Sequence, residues 1–340
     1  MNSLQPVQSW LPSSWQIGSA ADCVHLDVSN IYLKLDNHQP SGSFKSRGIG
    51  NLMTRAVARS PDSDVHFYCS SGGNAGLACA TSAISLRQAA TIVIPTATSA
   101  LMKRKLTDLG VNVYQIGKNW AEADKYLREE LLAKDPTGVY VPPFDHPDLW
   151  DGAATIIAEL RDQLDVPIDA IVCSVGGGGL FNGIMQGIES YPWSGRKPQV
   201  LAVETVGADA LNASIRAGSH VTLPEITSIA TSLGASRVSE QSWKWSHSKN
   251  MQSLVVTDAD AAASCVRFAD DARLLVEVSC GATLATAYRG DLQRYFGSGL
   301  GDAEWAQKNI VLEVCGGSGV TLGMLEDYRT TYGPQAAFKI

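Results

Sequence analysis

Three short stretches of this sequence carry residue types that can do chemistry. In QPSGSFKSRGIGN (39–51) a Pro-Ser-Gly-Ser turn delivers Phe44 and Lys45 to the start of an amphipathic helix. The positive end of a helix disfavours a protonated ammonium. Lys45 is therefore a candidate for an amine of lowered pKa, the form that attacks a carbonyl in Schiff-base chemistry. A solvated first-turn lysine fits the same residues. In CSSGGNAG (69–76), Ser70, Ser71, Gly72, Gly73 and Asn74 open an Ala-rich helix. They offer backbone N–H groups and short polar side chains to a carboxylate or phosphate, although an ordinary N-cap with a glycine turn accounts for them equally well. In SVGGGGLFNG (174–183) the run Gly176, Gly177, Gly178 and Gly179 lets the backbone approach an anion closely, and phosphate is the natural occupant. Four consecutive glycines weaken a core element, which makes packing alone a poor explanation. The rival is a dinucleotide fold, with Glu204 at the end of the next strand as a ribose ligand. Its G-x-G-x-x-G spacing fails because Leu180, Phe181 and Asn182 stand where glycine is needed, and no G-x-x-x-x-G-K-[ST] occurs.

These loops need a frame, and the chain supplies one. Short Val/Ile-rich runs recur at 65–69, 91–95, 111–116, 138–142, 170–175, 200–204, 253–257 and 309–315. Segments spaced as helices, such as 119–134 and 152–164, lie between them. Alternation of this kind predicts an α/β fold built on parallel sheets, with ligand loops at the carboxyl ends of strands. The Pro- and Asp-rich stretch PPFDHPDLW (142–150) is a plausible crossing from a smaller first domain to a larger second one.

Composition narrows the class of function. With 340 residues, 45% hydrophobic and 18% charged, the chain is long enough for about two domains with large cores. Lys plus Arg (27) against Asp plus Glu (34) gives a net charge of -7 without a dense basic cluster, so neither nucleic acid nor an anionic membrane is an expected partner. A small molecule is. The seven cysteines, Cys23, Cys69, Cys79, Cys173, Cys265, Cys280 and Cys315, are odd in number and widely spaced, which argues against a disulfide framework or a CxxC zinc site. No secretory leader and no run of about 18 apolar residues is found, and a soluble cytoplasmic protein is expected.

A reactive lysine, a carboxylate-sized amide cradle and a phosphate nest together meet the needs of a pyridoxal-phosphate enzyme acting on an amino acid. At this point QPSGSFKSRG, SSGGNAG, SVGGGGLFNG and VCGGSG, in that order, resemble the fold-type II pyridoxal-phosphate family, and most closely its L-serine dehydratases, from about Val28 to Met324. The resemblance implies an α/β protein of two domains, each a mostly parallel twisted sheet flanked by helices. The small domain would cover 39–145 and the large one 1–38 plus 146–340. It implies that Lys45 joins pyridoxal 5'-phosphate as a Schiff base, that Phe44 packs on one face of its ring, and that Asn74 bonds its phenolic oxygen. Gly176 to Gly179 would hold the phosphate, and Ser71, Gly72, Gly73, Asn74 and Ala75 the substrate carboxylate. Cys315 would meet the pyridine nitrogen, where a thiol favours elimination over transamination, although an ordinary buried strand cysteine fits its apolar neighbours. A monovalent cation such as K+ is implied at Gly176, Glu204, Ala208, Leu233 and Ala235, mostly through backbone oxygens. The implied reaction turns L-serine into pyruvate and ammonia, and L-threonine into 2-oxobutyrate. Lys45 would act as the base and the cofactor phosphate would protonate the leaving hydroxyl. A homodimer without an isoleucine-binding regulatory domain is the expectation.

Three positions depart from the family pattern. Gly72 stands where the dehydratases often have Ala and where related racemases place a serine base, which disfavours racemisation. Ser232 replaces an Ala against the second face of the ring, where its hydroxyl would either bond the site or cap a turn, the turn cap being slightly preferred. Val278 in VEVSCGA replaces a proline and would free the backbone there. Other readings are a related β-elimination or β-replacement on another amino acid, and a catalytically weak cofactor-binding homologue.

Overall fold

The computed structural model describes residues 29–62, 64–193 and 195–340. The expectations placed on 1–28, including Cys23 and the first part of the large domain, lie outside the described residues. Two sheets organise the rest. The larger has the order β1 (Asn30–Leu35), β9 (Asn309–Val314), β6 (Ala170–Ser174), β7 (Gln199–Thr205) and β8 (Met251–Val256). The smaller has the order β4 (Asn112–Gln115), β3 (Ala89–Ile94), β2 (His66–Cys69) and β5 (Gly138–Tyr140). Every strand pair in both is parallel.

Parallel strands covered on both faces need continuous apolar runs, and β6 and β9 are buried along their whole length. Asn309 and Glu313 are the polar residues of β9, and Glu313 carries the charge-bearing side chain. It is fully buried, and burial pushes its carboxyl well above the usual range. Strand β1 is absent from the runs read in the sequence because IYLKL mixes apolar positions with Lys34 and is only half-buried along most of its length. Its pairing with β9, Leu33 opposite Leu312, makes it a strand.

The helices of the described residues include α1 (Lys45–Arg59), α2 (Asn74–Leu86), α3 (Ala100–Asp108), α4 (Trp120–Tyr126), α5 (Pro147–Gln163), α6 (Gly179–Ser190), α7 (Ala210–Ala217), α8 (Glu240–Trp245), α9 (Asp258–Ala272) and α10 (Val278–Tyr288). The helix expected over 119–134 starts at its Asn119 cap, widens into a π turn at Leu127–Leu131 and tightens at Leu132–Lys134. Helix α5 begins earlier than its apolar spacing suggested. His146 caps it, its Nδ1 accepting from the Asp148 amide at 3.0 Å, and Pro147 takes the first helical position. Half of the expected crossing at 142–150 is therefore helical.

One core cluster surrounds the smaller sheet and includes Ile49, Leu52 and Met53 of α1 with Leu149 of α5; a second surrounds the larger sheet. Helix α5 packs against both α1 and α6. The approach to α1 is close, since a Cβ on Gly152 would stand 2.4 Å from the Arg47 carbonyl oxygen. That contact fixes where the first turn of α1, and with it Lys45, can lie.

Candidate active site

The Ser-Gly-Ser-Phe turn lies across the carboxyl end of β9. Ser43 bridges to Gly316, and the Phe44 amide donates to the Cys315 carbonyl at 3.1 Å. Lys45 thereby enters the cleft as the first residue of α1. Its Nζ donates to the Pro143 carbonyl at 2.5 Å and lies 5.1 Å from the centre of the Phe44 ring. Burial lowers its pKa to about 8, and the thiols of Cys69 and Cys315 oppose the shift. Desolvation, and not the helix end, is the leading cause of the shift.

Two residues after Lys45, the Arg47 side chain, 5% exposed, anchors this turn. It donates to both oxygens of Asp36 at 2.7 Å and to both oxygens of Glu159 at 2.6 and 2.7 Å. Burial works against its charge, but the bonds to Glu159 and Asp36 raise its pKa above the usual value. Lys45 is thus a reactive amine on a fixed base.

Gly179 lines the same cavity as Lys45, together with Phe44, Pro143 and Phe144. Packing explains more of the glycine run than the sequence suggested. A Cβ on Gly177 would lie 2.4 Å from the Phe144 ring, and Gly178 has φ +102° with Ser242 Oγ 1.8 Å from its would-be Cβ. The loop still fits an anion. Gly178, the N-cap of α6, supplies no side-chain cap, and Gly179 at the helix start lines the cavity, where the dipole favours an anion.

On the other wall, Gly73 is the N-cap of α2 and Asn74 its first residue. Ser71 Oγ accepts from the Gly73 amide at 3.3 Å, and Ala75 is buried. Behind this loop Ser70 Oγ donates to Asp124 at 2.6 Å, a carboxylate shared with Tyr140 and Arg128. Gly72 faces Thr98 from the loop after β3. Cys315 directly follows β9, 6% exposed, with its Sγ 3.5 Å from Ser174 Oγ. Its Sγ is also paired with the buried Cys280 thiol.

Ser232 departs from the preferred turn-cap reading. Its hydroxyl donates to Glu277 Oε2 at 2.6 Å, which makes it part of the site's bonding. Glu277 lies within VEVSCGA, where a lone acid before a helix has no distinctive spacing to mark it in the sequence. Val278 is the first residue of α10, a position that tolerates proline, so the exchange changes the backbone little.

The residues expected around a cation come only partly into view as a group. Gly176 packs on Leu233, and Ala208 is bridged to Thr205 beside Glu204. Glu204 is fully buried and accepts from the Leu211 and Asn212 amides at 2.8 and 2.7 Å, capping α7. Burial pushes its pKa up to about 8, opposed by those two amides. That placement replaces the ribose reading.

An amine kept reactive beside an anion-binding helix start is what a carbonyl-bearing phosphate cofactor requires, and on two parallel sheets these are the marks of a fold-type II pyridoxal-phosphate enzyme. The pattern described as "Pyridoxal-phosphate dependent enzyme" matches residues 20–316, and the chain belongs to that family. The chain is 42% identical over 303 residues to "L-serine dehydratase/L-threonine deaminase" of Bos taurus, covering 89% of this chain and 90% of the relative. It is 38% identical over 312 residues to "Catabolic L-serine/threonine dehydratase" of Saccharomyces cerevisiae, with 88% and 86% covered. Among solved structures it is similar to a fungal L-serine ammonia-lyase from Rhizomucor miehei, with TM-score 0.81 and 38% identity over 89% of this chain and 93% of that one. The maize serine racemase, at 24% identity and TM-score 0.72, shares the fold.

Proposed function

We propose that this protein is an L-serine/L-threonine ammonia-lyase, which takes water from L-serine to give pyruvate and ammonia and from L-threonine to give 2-oxobutyrate. One observation carries the reading: Lys45, its amine lowered to about 8, shares a cavity with Gly179 at the uncapped start of α6. Relatives named for this activity, at about 40% identity over most of both chains, support it.

Pyridoxal phosphate, when bound, supplies the electron sink that stabilises negative charge at the substrate Cα. The chain's own groups do the rest. Lys45 would hold the cofactor through Nζ and, once released, take the Cα proton at the same atom. Phe44 would pack on one ring face, and Asn74 Nδ2 would donate to the phenolic oxygen. The first amides of α6, with Gly176 to Gly179, would bind the phosphate. Cys315 Sγ would meet the ring nitrogen without supplying charge, which biases the chemistry to elimination. The loop from Ser71 to Ala75, at the start of α2, would bind the substrate carboxylate.

Finer readings accompany this one. A monovalent cation would bind Glu204 and backbone oxygens of Gly176, Ala208, Leu233 and Ala235. A homodimer is what the family leads us to expect. The six cysteines among the described residues are buried free thiols, which fit a reducing compartment and hence a cytoplasmic location, and no helix among the described residues is long and apolar enough to cross a membrane.

The test is the visible spectrum of the purified protein with pyridoxal phosphate, before and after L-serine, with pyruvate assayed in the same cuvette. A band that changes on addition of serine as pyruvate accumulates is the expected result. A protein that stays colourless with the cofactor present would sink the proposal.

A further inference from the structure

We infer that Glu277 is a positioning carboxylate that sets the orientation of the Asn74 amide and ties together three loops of the site. The inference deepens the functional reading above and rests on it. Glu277 stands just before α10, and three donors converge on it. Asn74 Nδ2 lies 3.0 Å from each of its oxygens, Ser232 Oγ donates to Oε2 at 2.6 Å, and the Gly319 amide donates to Oε1 at 2.6 Å.

None of the three donors is a cation, so the demand is for acceptors alone. Among side chains of this length only an ionised carboxylate offers acceptors on both atoms. The opposite end of the Asn74 amide is fixed as well, since Oδ1 accepts from the Ser318 amide at 2.9 Å. With a donor facing Oδ1 and acceptors facing Nδ2, which also lies 3.5 Å from Ser232 Oγ, the amide has one favourable orientation, Nδ2 toward Glu277 and Ser232 and Oδ1 toward the Ser318 amide. The backbone is shaped around the carboxylate. Gly317 has φ +112°, and a Cβ there would stand 2.4 Å from Glu277 Cδ.

The three donors come from different parts of the fold. Asn74 starts the helix after β2 of the smaller sheet, whereas Ser232 and Gly319 belong to loops of the larger one. Glu277 therefore pins the wall that carries Asn74 to the wall that carries Cys315. A glutamine in its place has one acceptor and one donor group. It would set its NH2 against an N–H or O–H and push the Asn74 amide to turn over. Asn74 would then present its carbonyl oxygen, in place of an N–H, to the phenolic oxygen of the cofactor.

The experiment compares wild type with Glu277→Gln in three readouts: pyridoxal-phosphate affinity from fluorescence titration of cofactor-free protein, the visible spectrum at saturation, and thermal melting without cofactor. The expected result is about tenfold weaker cofactor binding, the effect of one misplaced buried hydrogen bond, with an altered ratio of the visible bands at saturation. A purely structural role would lower melting and leave the saturated spectrum as in wild type, which overturns the inference. If Glu277→Gln does not fold, Ser232→Ala decides: weaker cofactor binding with an altered ratio of the visible bands at saturation supports the role, and an unchanged spectrum overturns it. Wild-type protein that takes up no cofactor sinks the functional reading and this role with it. A normal wild-type band with an unchanged variant sinks this role alone.

Discussion

Thr98 stands where a side chain on residue 72 would have to go. A Cβ placed on Gly72 would lie 2.5 Å from Thr98 Oγ1, 2.7 Å from Cγ2 and 3.2 Å from Cβ. Both branches of the threonine fill the space, so rotating χ1 cannot clear it. Gly72 of the 69–76 loop and Thr98 of the loop after β3 thus share one space, which admits a side chain from only one of them.

This pairing predicts coupling. Gly72→Ala should lower kcat/KM for L-serine by about tenfold by pushing the two loops apart, and Thr98→Ala added to it should recover most of the loss. Contacting residues couple by about 0.5–3 kcal/mol, which a double-mutant cycle on kcat/KM resolves. Losses that simply add would show that the two side chains do not compete for one space.

Lys45 sets a pH dependence. Its pKa of about 8 leaves the amine protonated below that pH and neutral above it, and only the neutral form attacks a carbonyl. Capture of pyridoxal phosphate by cofactor-free protein should rise with pH, pass half of its maximum near pH 8 and level off above it. An ordinary lysine would keep gaining up to its usual value of 10.5. Stopped-flow growth of the visible band measures this. A rate still climbing steeply between pH 9 and 10 would contradict a lowered pKa.

Much of this site was legible in the sequence because its parts are local. Lys45 at a helix start, the 69–76 loop and the 176–179 glycines each sit beside a strand or helix boundary that periodicity marks. What stayed hidden was long-range. Glu277 gains its place from Asn74, Ser232 and Gly319, residues separated from it by up to 203 positions. Thr98 matters only because Gly72 lies against it, and Pro143 only because its carbonyl meets Lys45. The same holds for β1, whose pattern is too mixed to read and whose identity comes from pairing with β9. The glycine run shows the reverse: its presence pointed to phosphate, yet Phe144 and Ser242 give Gly177 and Gly178 packing reasons of their own.

Arg47 should be the stability-critical residue near the site. Its guanidinium is paired to Asp36, whose side chain is 1% exposed, and removing it leaves that carboxylate buried without its partner. Arg47→Ala should cost about 3–5 kcal/mol, as breaking buried ion pairs does. Arg47→Lys should recover only part, because an ammonium cannot span both carboxylates with paired bonds. Urea unfolding of cofactor-free protein measures both. A loss under about 1 kcal/mol for Arg47→Ala, the scale of surface pairs, would show that the network does not hold α1 in place.

Glu204 gives the cation proposal a pH signature. Its pKa in the folded protein, about 8, lies above the ordinary 4.5, so the folded state binds a proton that the unfolded state has released between those values. The stability this proton confers is present below pH 4.5 and is lost as pH rises through about 8. A cation beside the carboxylate favours its charged form and offsets that loss. Melting temperature should therefore fall less between pH 6 and 9 in potassium chloride than in tetramethylammonium chloride of equal ionic strength. Binding of the ion should strengthen up to about pH 8 and then level off, because the proton must leave first. Glu204→Gln, which keeps an acceptor for α7 and cannot ionise, should make the two salts equivalent and remove any activation by potassium. Curves that coincide in the wild type would mean that Glu204 is the cap of α7 alone.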